Sequence, residues 1–153
     1  MTPPPPPAAV RVTVTVRVDP ATAFEVFTEE IDRWYRRGLA GMSGHEPATT
    51  LRFEPGVGGR LLEIGSPDGD VERGRLTVWE PGERLVFVDR RGTEVDVTFT
   101  AAALPSGDAH VTRVVLEHRG LDRLPPTVAV QLARYGWRRL AEWFEIHLQE
   151  EAR

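Results

Sequence analysis

Between residues 49 and 118 turn residues cut the chain into short strand-like runs, and this punctuation limits the fold more than any other feature. The runs are 50–54, 60–64, 71–79, 84–90, 94–102 and 110–118. Between them stand Pro55-Gly56, Pro67-Asp68-Gly69, Pro81-Gly82, Arg91-Gly92 and Pro105-Ser106-Gly107. Parallel strands need crossovers of about a dozen residues or more, and these connections are far shorter, so the runs read as an antiparallel meander.

One more strand precedes the meander. From Val10 to Val18 the valines alternate with Arg11, Thr13, Thr15 and Arg17, the period of a strand with one buried face. Asp19-Pro20 then offers an N-cap and a first-turn proline, and Ala23, Phe24, Val26 and Phe27 recur at helical spacing. A second short helix is expected over 31–37, carrying Trp34 and Tyr35, before Gly38, Gly41 and Gly44 break the pattern.

After the last strand, a Pro-Pro pair opens a long helix expected over 126–150. At about 100° per residue, Val130, Ala133, Trp137, Leu140, Ala141, Phe144 and Leu148 share one face, widened by Ala129, Gly136, Trp143 and His147. Arg134, Arg138, Glu142 and Glu145 take the other side. So broad an apolar arc suits a helix held against a curved sheet, and the predicted architecture is α+β.

Composition closes off several chemistries. Cysteine is absent, which excludes disulfides, thiolate metal sites and cysteine nucleophiles. All 19 basic residues are arginine, which excludes a Schiff-base lysine and the lysine of a P-loop. A net charge of −4 argues against nonspecific binding to nucleic acid or anionic lipid. No apolar run approaches membrane-spanning length and the N-terminus lacks a signal-peptide pattern, so a cytoplasmic location without a membrane partner is expected. Residues 3–7 are five prolines, which stiffen into polyproline II and cannot join a sheet. Residues 1–9 therefore read as a disordered tail and 10–150 as one domain, an ordinary size for 153 residues of which 41% are apolar.

Sharp catalytic motifs are missing. Gly56-Val57-Gly58-Gly59 is followed by no Gly-Lys-Ser/Thr, and Leu61 stands where a dinucleotide fingerprint needs its third glycine. Ser43 in Gly41-Met42-Ser43-Gly44-His45 lacks the final glycine and the preceding buried strand of a nucleophile elbow. His45, His110, His118 and His147 show no metal-ligand spacing, so neither a metal nor another cofactor is expected.

The wording of the chain resembles a known family. Ile31-Asp32-Arg33-Trp34, Gly58-Gly59-Arg60 with Glu63, Gly74-Arg75-Leu76 running into Trp79-Glu80-Pro81, Arg84-Leu85-Val86-Phe87, Thr112 to His118 with Gly120, and Gly136-Trp137 carry the match. In this order they resemble the AHSA1-like branch, named after the activator of Hsp90 ATPase, of the START-like or SRPBCC superfamily. The resemblance covers about residues 10 to 150. It implies the helix-grip (START-like, Bet v 1-like) fold: a curved antiparallel sheet of six to seven strands around a long C-terminal helix, with two short helices after strand 1. It also implies a cavity between sheet and helix that commonly holds an apolar or amphipathic small molecule. Many relatives end the Arg-Leu-Val-Phe strand with tryptophan, where this chain has Asp89.

On that basis the ligand-binding candidates are Trp34, Tyr35, Leu61, Glu63, Leu76, Phe87, Asp89, Leu116, His118 and Trp137. His118 shares parity with Val114 and Leu116, the expected buried face of the last strand, where a lone histidine commonly bonds a backbone carbonyl. Glu63 shares parity with Leu61, but Leu62 and Ile64 make the opposite face equally apolar. Asp89 shares parity with Leu85 and Phe87, against the alternative of a solvated strand end beside Arg90 and Arg91. The leading expectation is a noncatalytic binding protein for an apolar or amphipathic small molecule, with few polar anchors on apolar walls. The alternative is a cyclase-like or hydrolytic enzyme in which His118, titrating near neutrality, works with Glu63 or Asp89 as acid and base. A co-chaperone-like or stress-related interaction module with a chaperone partner, suggested only by the family name, ranks last. Tyr135 and Ile146 on the far side of the last helix mark a candidate homodimer contact.

Overall fold

The computed structural model describes residues 8–35, 50–65, 67, 69–103 and 111–151. The proline run, Gly38, Gly41, Ser43, Gly44, His45, Pro105-Ser106-Gly107 and His110 lie outside the described residues, as do the side chains of Tyr135 and Leu140.

The strands form where alternation and turn residues place them. They are β1 (Ala9–Val16), β2 (Thr50–Phe53), β3 (Arg60–Ile64), β4 (Val71–Glu80), β5 (Arg84–Val88), β6 (Glu94–Ala102) and β7 (Val111–Arg119). All neighbours are antiparallel, in the order β1-β7-β6-β5-β4-β3-β2. The first strand thus pairs with the last, Val10 opposite His118 and Val14 opposite Val114. β1 stops at Val16 rather than Val18, because the chain leaves the ladder to begin a helix; Thr112 Oγ1 donates to the Val18 carbonyl at 2.7 Å.

That helix, α1 (Pro20–Glu29), is capped by Asp19, whose carboxylate accepts from the Thr22 N–H at 2.7 Å. With α2 (Ile31–Trp34) it leads the chain from one edge strand, β1, toward the other, β2. Phe24 meets Phe99 and Trp79 edge-on at 5.2 and 5.0 Å, while Phe27 packs on Trp34 at 5.0 Å and on Phe144 at 5.4 Å. This aromatic cluster fills the concavity between the sheet and the C-terminal helix.

The sheet is a curled half-barrel, and β4 carries two irregularities in its pairing. Opposite β3 the pairing jumps from Leu61/Gly74 to Leu62/Glu72, leaving Arg73 as an extra residue; opposite β5 it jumps from Leu76/Phe87 to Val78/Val86, leaving Thr77. Bulges of this kind bend a strand and raise its twist.

The C-terminal helix differs from the expected continuous one. Gly120, in the left-handed region at φ 82°, leads into a 3₁₀ turn at Leu121–Arg123. Then follow α3 (Pro126–Gln131), a π-helical turn (Leu132–Gly136) and α4 (Trp137–Glu151). In a straight α-helix residues five apart lie roughly 140° apart, so Leu132 would face away from Trp137. The π-turn closes i to i+5 and sets them on one side, and both are buried. Val130, expected on the buried face, is only half-buried in consequence.

Gly74 stands where β4 crosses the Phe87 ring. A Cβ there would lie 2.9 Å from Phe87 Cδ2, and that ring is backed by Phe53 at 5.8 Å. Gly74→Ala is expected to cost about 1–3 kcal/mol in urea unfolding; an unchanged midpoint would show that the ring moves aside freely.

Candidate functional site

The aromatic cluster leaves little space in the middle of the molecule. Beneath Trp34, Leu116, Ala141 and Phe144 there remains an apolar void of about 20 Å³, room for about one water. A larger pocket, about 330 Å³, opens at the end of the sheet where α3 and the π-turn approach β5, β6 and β7.

Its walls are Phe87 and Val95 from the sheet, and Leu124, Val128, Leu132 and Trp137 from the helical side. The β5–β6 hairpin closes one side through Asp89, Arg90, Arg91 and Thr93, and the β4 bulge contributes Glu72 and Arg73. The hairpin turn is tightly made. Asp89 Oδ1 accepts from the N–H groups of Arg91 at 2.9 Å and Thr93 at 3.0 Å, and Arg123 Nη1 donates to the Gly92 carbonyl at 2.9 Å. Arg73, freed from the ladder by the bulge, donates through Nε (3.0 Å) and Nη2 to Glu63. Glu63 is 1% exposed, so the guanidinium compensates a buried carboxylate one step behind the pocket wall.

No family model and no curated protein matches the sequence. Solved structures do. An Aha1 dimer from Colwellia psychrerythraea superposes with a TM-score of 0.62 at 12% identity, covering 92% of this chain and 95% of that one. An AHSA1-like protein from Aeromonas hydrophila gives 0.60 at 23% identity, covering 94% of each chain. An anthrahydroquino-γ-pyrone synthase, solved in a complex, gives 0.58 at 27% identity over 92% of this chain and 99% of that one. The chain has an AHSA1-like SRPBCC fold.

Within this AHSA1-like frame the residues singled out from sequence separate into two groups. Phe87, Asp89, His118 and Trp137 meet around the pocket. Trp34, Tyr35, Leu61, Leu76 and Leu116 are buried in the core and stand apart from its walls; Trp34 packs on Phe27 and Phe144, and Tyr35 on Trp143. Glu63 is held by Arg73 and is not a wall residue. Asp89 lies just past the end of β5, where the strand stops at Val88, and it both borders the pocket and ties the hairpin turn. Sequence reasoning missed Thr93, Leu132 and the arginines of the rim. Thr93 continues the buried parity of Val95, Val97 and Phe99, and that parity was the available signal.

His118 bonds side chains rather than the backbone carbonyl expected for it. Trp137 Nε1 donates to Nδ1 at 2.8 Å, and Nε2 lies 2.8 Å from Thr93 Oγ1. An indole nitrogen can only donate, so Nδ1 carries no hydrogen, and the neutral ring donates from Nε2 to Thr93. The expected titration near neutrality is displaced: burial pushes the His118 pKa down to about 4, with the Asp89 charge opposing this. The ring is therefore uncharged at pH 7. Among the described residues no group of His, Asp and Glu side chains is arranged to hold a metal ion, and no helix is long and apolar enough to cross a membrane.

An imidazole that titrates at 6.5 when unfolded and about 4 when folded takes up protons preferentially in the unfolded chain. Its contribution is whole above pH 6.5 and is lost as the pH falls toward 4. The loss should reach about 3 kcal/mol at most in urea titrations at stepped pH, and His118→Gln should flatten this limb. Equal limbs in both proteins would reassign the titration. Glu54, held down to about 2 by Arg60, acts in a separate and more acidic window.

Proposed function

We propose that the chain binds an amphipathic small molecule in the pocket between the β5–β6 hairpin and the π-turn. The observation that carries this reading is the make-up of that pocket. Six apolar side chains, Phe87, Val95, Leu124, Val128, Leu132 and Trp137, line about 330 Å³, a volume within the range of small-molecule sites. Polar side chains complete the lining: Thr93 and His118 from the sheet, Asp89, Arg90 and Arg91 from the hairpin, and Glu72 and Arg73 from the β4 bulge. Arg90 and Arg91 stand exposed at the rim, and neither guanidinium has a carboxylate partner among the described residues. An apolar body would lie against the helical wall, with an acidic or polar group turned toward these arginines. Noncatalytic binding agrees with a histidine that is neutral at pH 7 and already engaged at both nitrogens.

A second reading is turnover of a ring-bearing molecule in the same pocket. The likeness to the anthrahydroquino-γ-pyrone synthase, 27% identical over 92% of this chain, favours it. His118 and Asp89 would then work together as acid and base, and His118→Ala would abolish turnover while leaving affinity. Affinity without product formation for a ligand retained in native mass spectrometry would leave binding as the whole activity.

The direct test uses 1-anilinonaphthalene-8-sulfonate, which joins apolar rings to an anion. Titration should give one molecule per chain, with quenching of tryptophan fluorescence through Trp137. Val128 is half-buried on the wall, so Val128→Trp fills the pocket from its edge. This variant should weaken binding about tenfold or more while the melting temperature holds. Undiminished binding by Val128→Trp would place the probe elsewhere and overturn the proposal.

A further inference from the structure

Thr93 is 1% exposed and occupies the sheet side of the pocket, immediately after the hairpin turn. Its backbone is held from both directions: its N–H donates to Asp89 Oδ1 at 3.0 Å, and its carbonyl accepts from the Asp89 N–H at 3.0 Å. The side chain has little freedom to move away from where the turn sets it.

The polarity of its hydroxyl is dictated from the far end of a three-residue chain. Trp137 can only donate, so His118 Nδ1 accepts; the neutral imidazole then carries its hydrogen on Nε2, and Thr93 Oγ1 accepts that hydrogen at 2.8 Å. A hydroxyl that accepts from imidazole still has its own hydrogen to place. Among the described residues no protein acceptor takes it. Buried donors are rarely left unmatched, and this one belongs to a wall of the pocket.

Resting on the binding reading above, we propose that Thr93 is the polar anchor of the pocket, donating its Oγ1 hydrogen to an acceptor oxygen of the bound molecule. The site then selects apolar molecules that carry a carbonyl or comparable acceptor oxygen over the bare hydrocarbon of the same skeleton. It selects against the ammonium-bearing analogue as well, because that group offers only donors to a hydroxyl that needs an acceptor. Discrimination of this kind arises because a ligand without the acceptor leaves a buried group unpaired.

The test compares 9-fluorenone, fluorene and 9-aminofluorene, three molecules on one skeleton, by quenching of tryptophan fluorescence in the full chain. The wild-type protein should bind fluorenone roughly fivefold more tightly than fluorene, the effect of one net hydrogen bond. 9-Aminofluorene should bind most weakly. Thr93→Val should bring the fluorenone-to-fluorene ratio to about one with fluorene affinity kept, and Thr93→Ser should retain the preference. Because Thr93→Val also removes the acceptor for His118, circular dichroism and a second donorless variant, Thr93→Ala, establish that a folded protein is being measured. No fluorenone preference in the wild type, or a preference that survives in a folded donorless variant, overturns the inference while leaving pocket binding intact. Failure of all three probes to bind the wild type overturns the pocket reading itself, and the anchor role with it.

Discussion

The structure depends on the bending of one long strand. A flat antiparallel sheet offers a helix a single plane, and the broad apolar arc of α4 could not be covered by it. β4 runs from Val71 to Glu80 between β3 and β5, and the extra residues at Arg73 and Thr77 interrupt its ladders on both sides. The first bulge also releases Arg73 to reach back to Glu63, so the irregularity that helps bend the sheet supplies the countercharge for a buried carboxylate. Gly74, beside the same bulge, lets Phe87 approach the strand so closely that no side chain fits between.

Two helical departures decide where empty space remains. Aromatic rings from α1, α2 and α4 close the centre of the concavity, and the pocket lies where α3 and the π-turn depart from a regular helix. The π-turn aligns Leu132 with Trp137, so both sides of the irregularity contribute to one wall. Trp137 then serves two purposes. Its ring forms part of the apolar surface, and its N–H sets the tautomer of His118, which in turn sets the direction of the Thr93 hydroxyl. The helix thereby controls the chemistry presented by the sheet.

Much of this architecture was legible in the residues. Turn chemistry marked 60–64 and 94–102 as the strands β3 and β6, and in the second run Val95, Val97 and Phe99 also alternate with polar residues. Asp89 shows the limit of parity: it matches Leu85 and Phe87, but its carboxylate is taken by the backbone of the following turn, and the strand ends before it. Glu63 stayed ambiguous because its apolar neighbours lie on both sides, and the opposing bulge that decides its partner leaves no compositional mark. The π-turn was invisible for a related reason. A five-residue closure uses ordinary helix formers, so Leu132 falls off the expected stripe unless the extra residue is known. Thr93 came together with His118 only through pairing of β6 with β7, which sequence patterns suggest but do not register.

The pairing of β1 with β7 has a consequence for how the molecule comes into being. The alternating valines of the first strand find their partner only in the last, at the opposite end of the meander. Contacts between such distant segments are slow to form, because closing the intervening chain must precede any gain from the ladder. On a ribosome the valine stripe therefore emerges early and waits, unpaired on the edge that will later be sealed, until nearly the whole domain has been synthesised. Arg11, placed between those valines and exposed, gives this waiting strand a charge that discourages pairing with its own kind in the meantime.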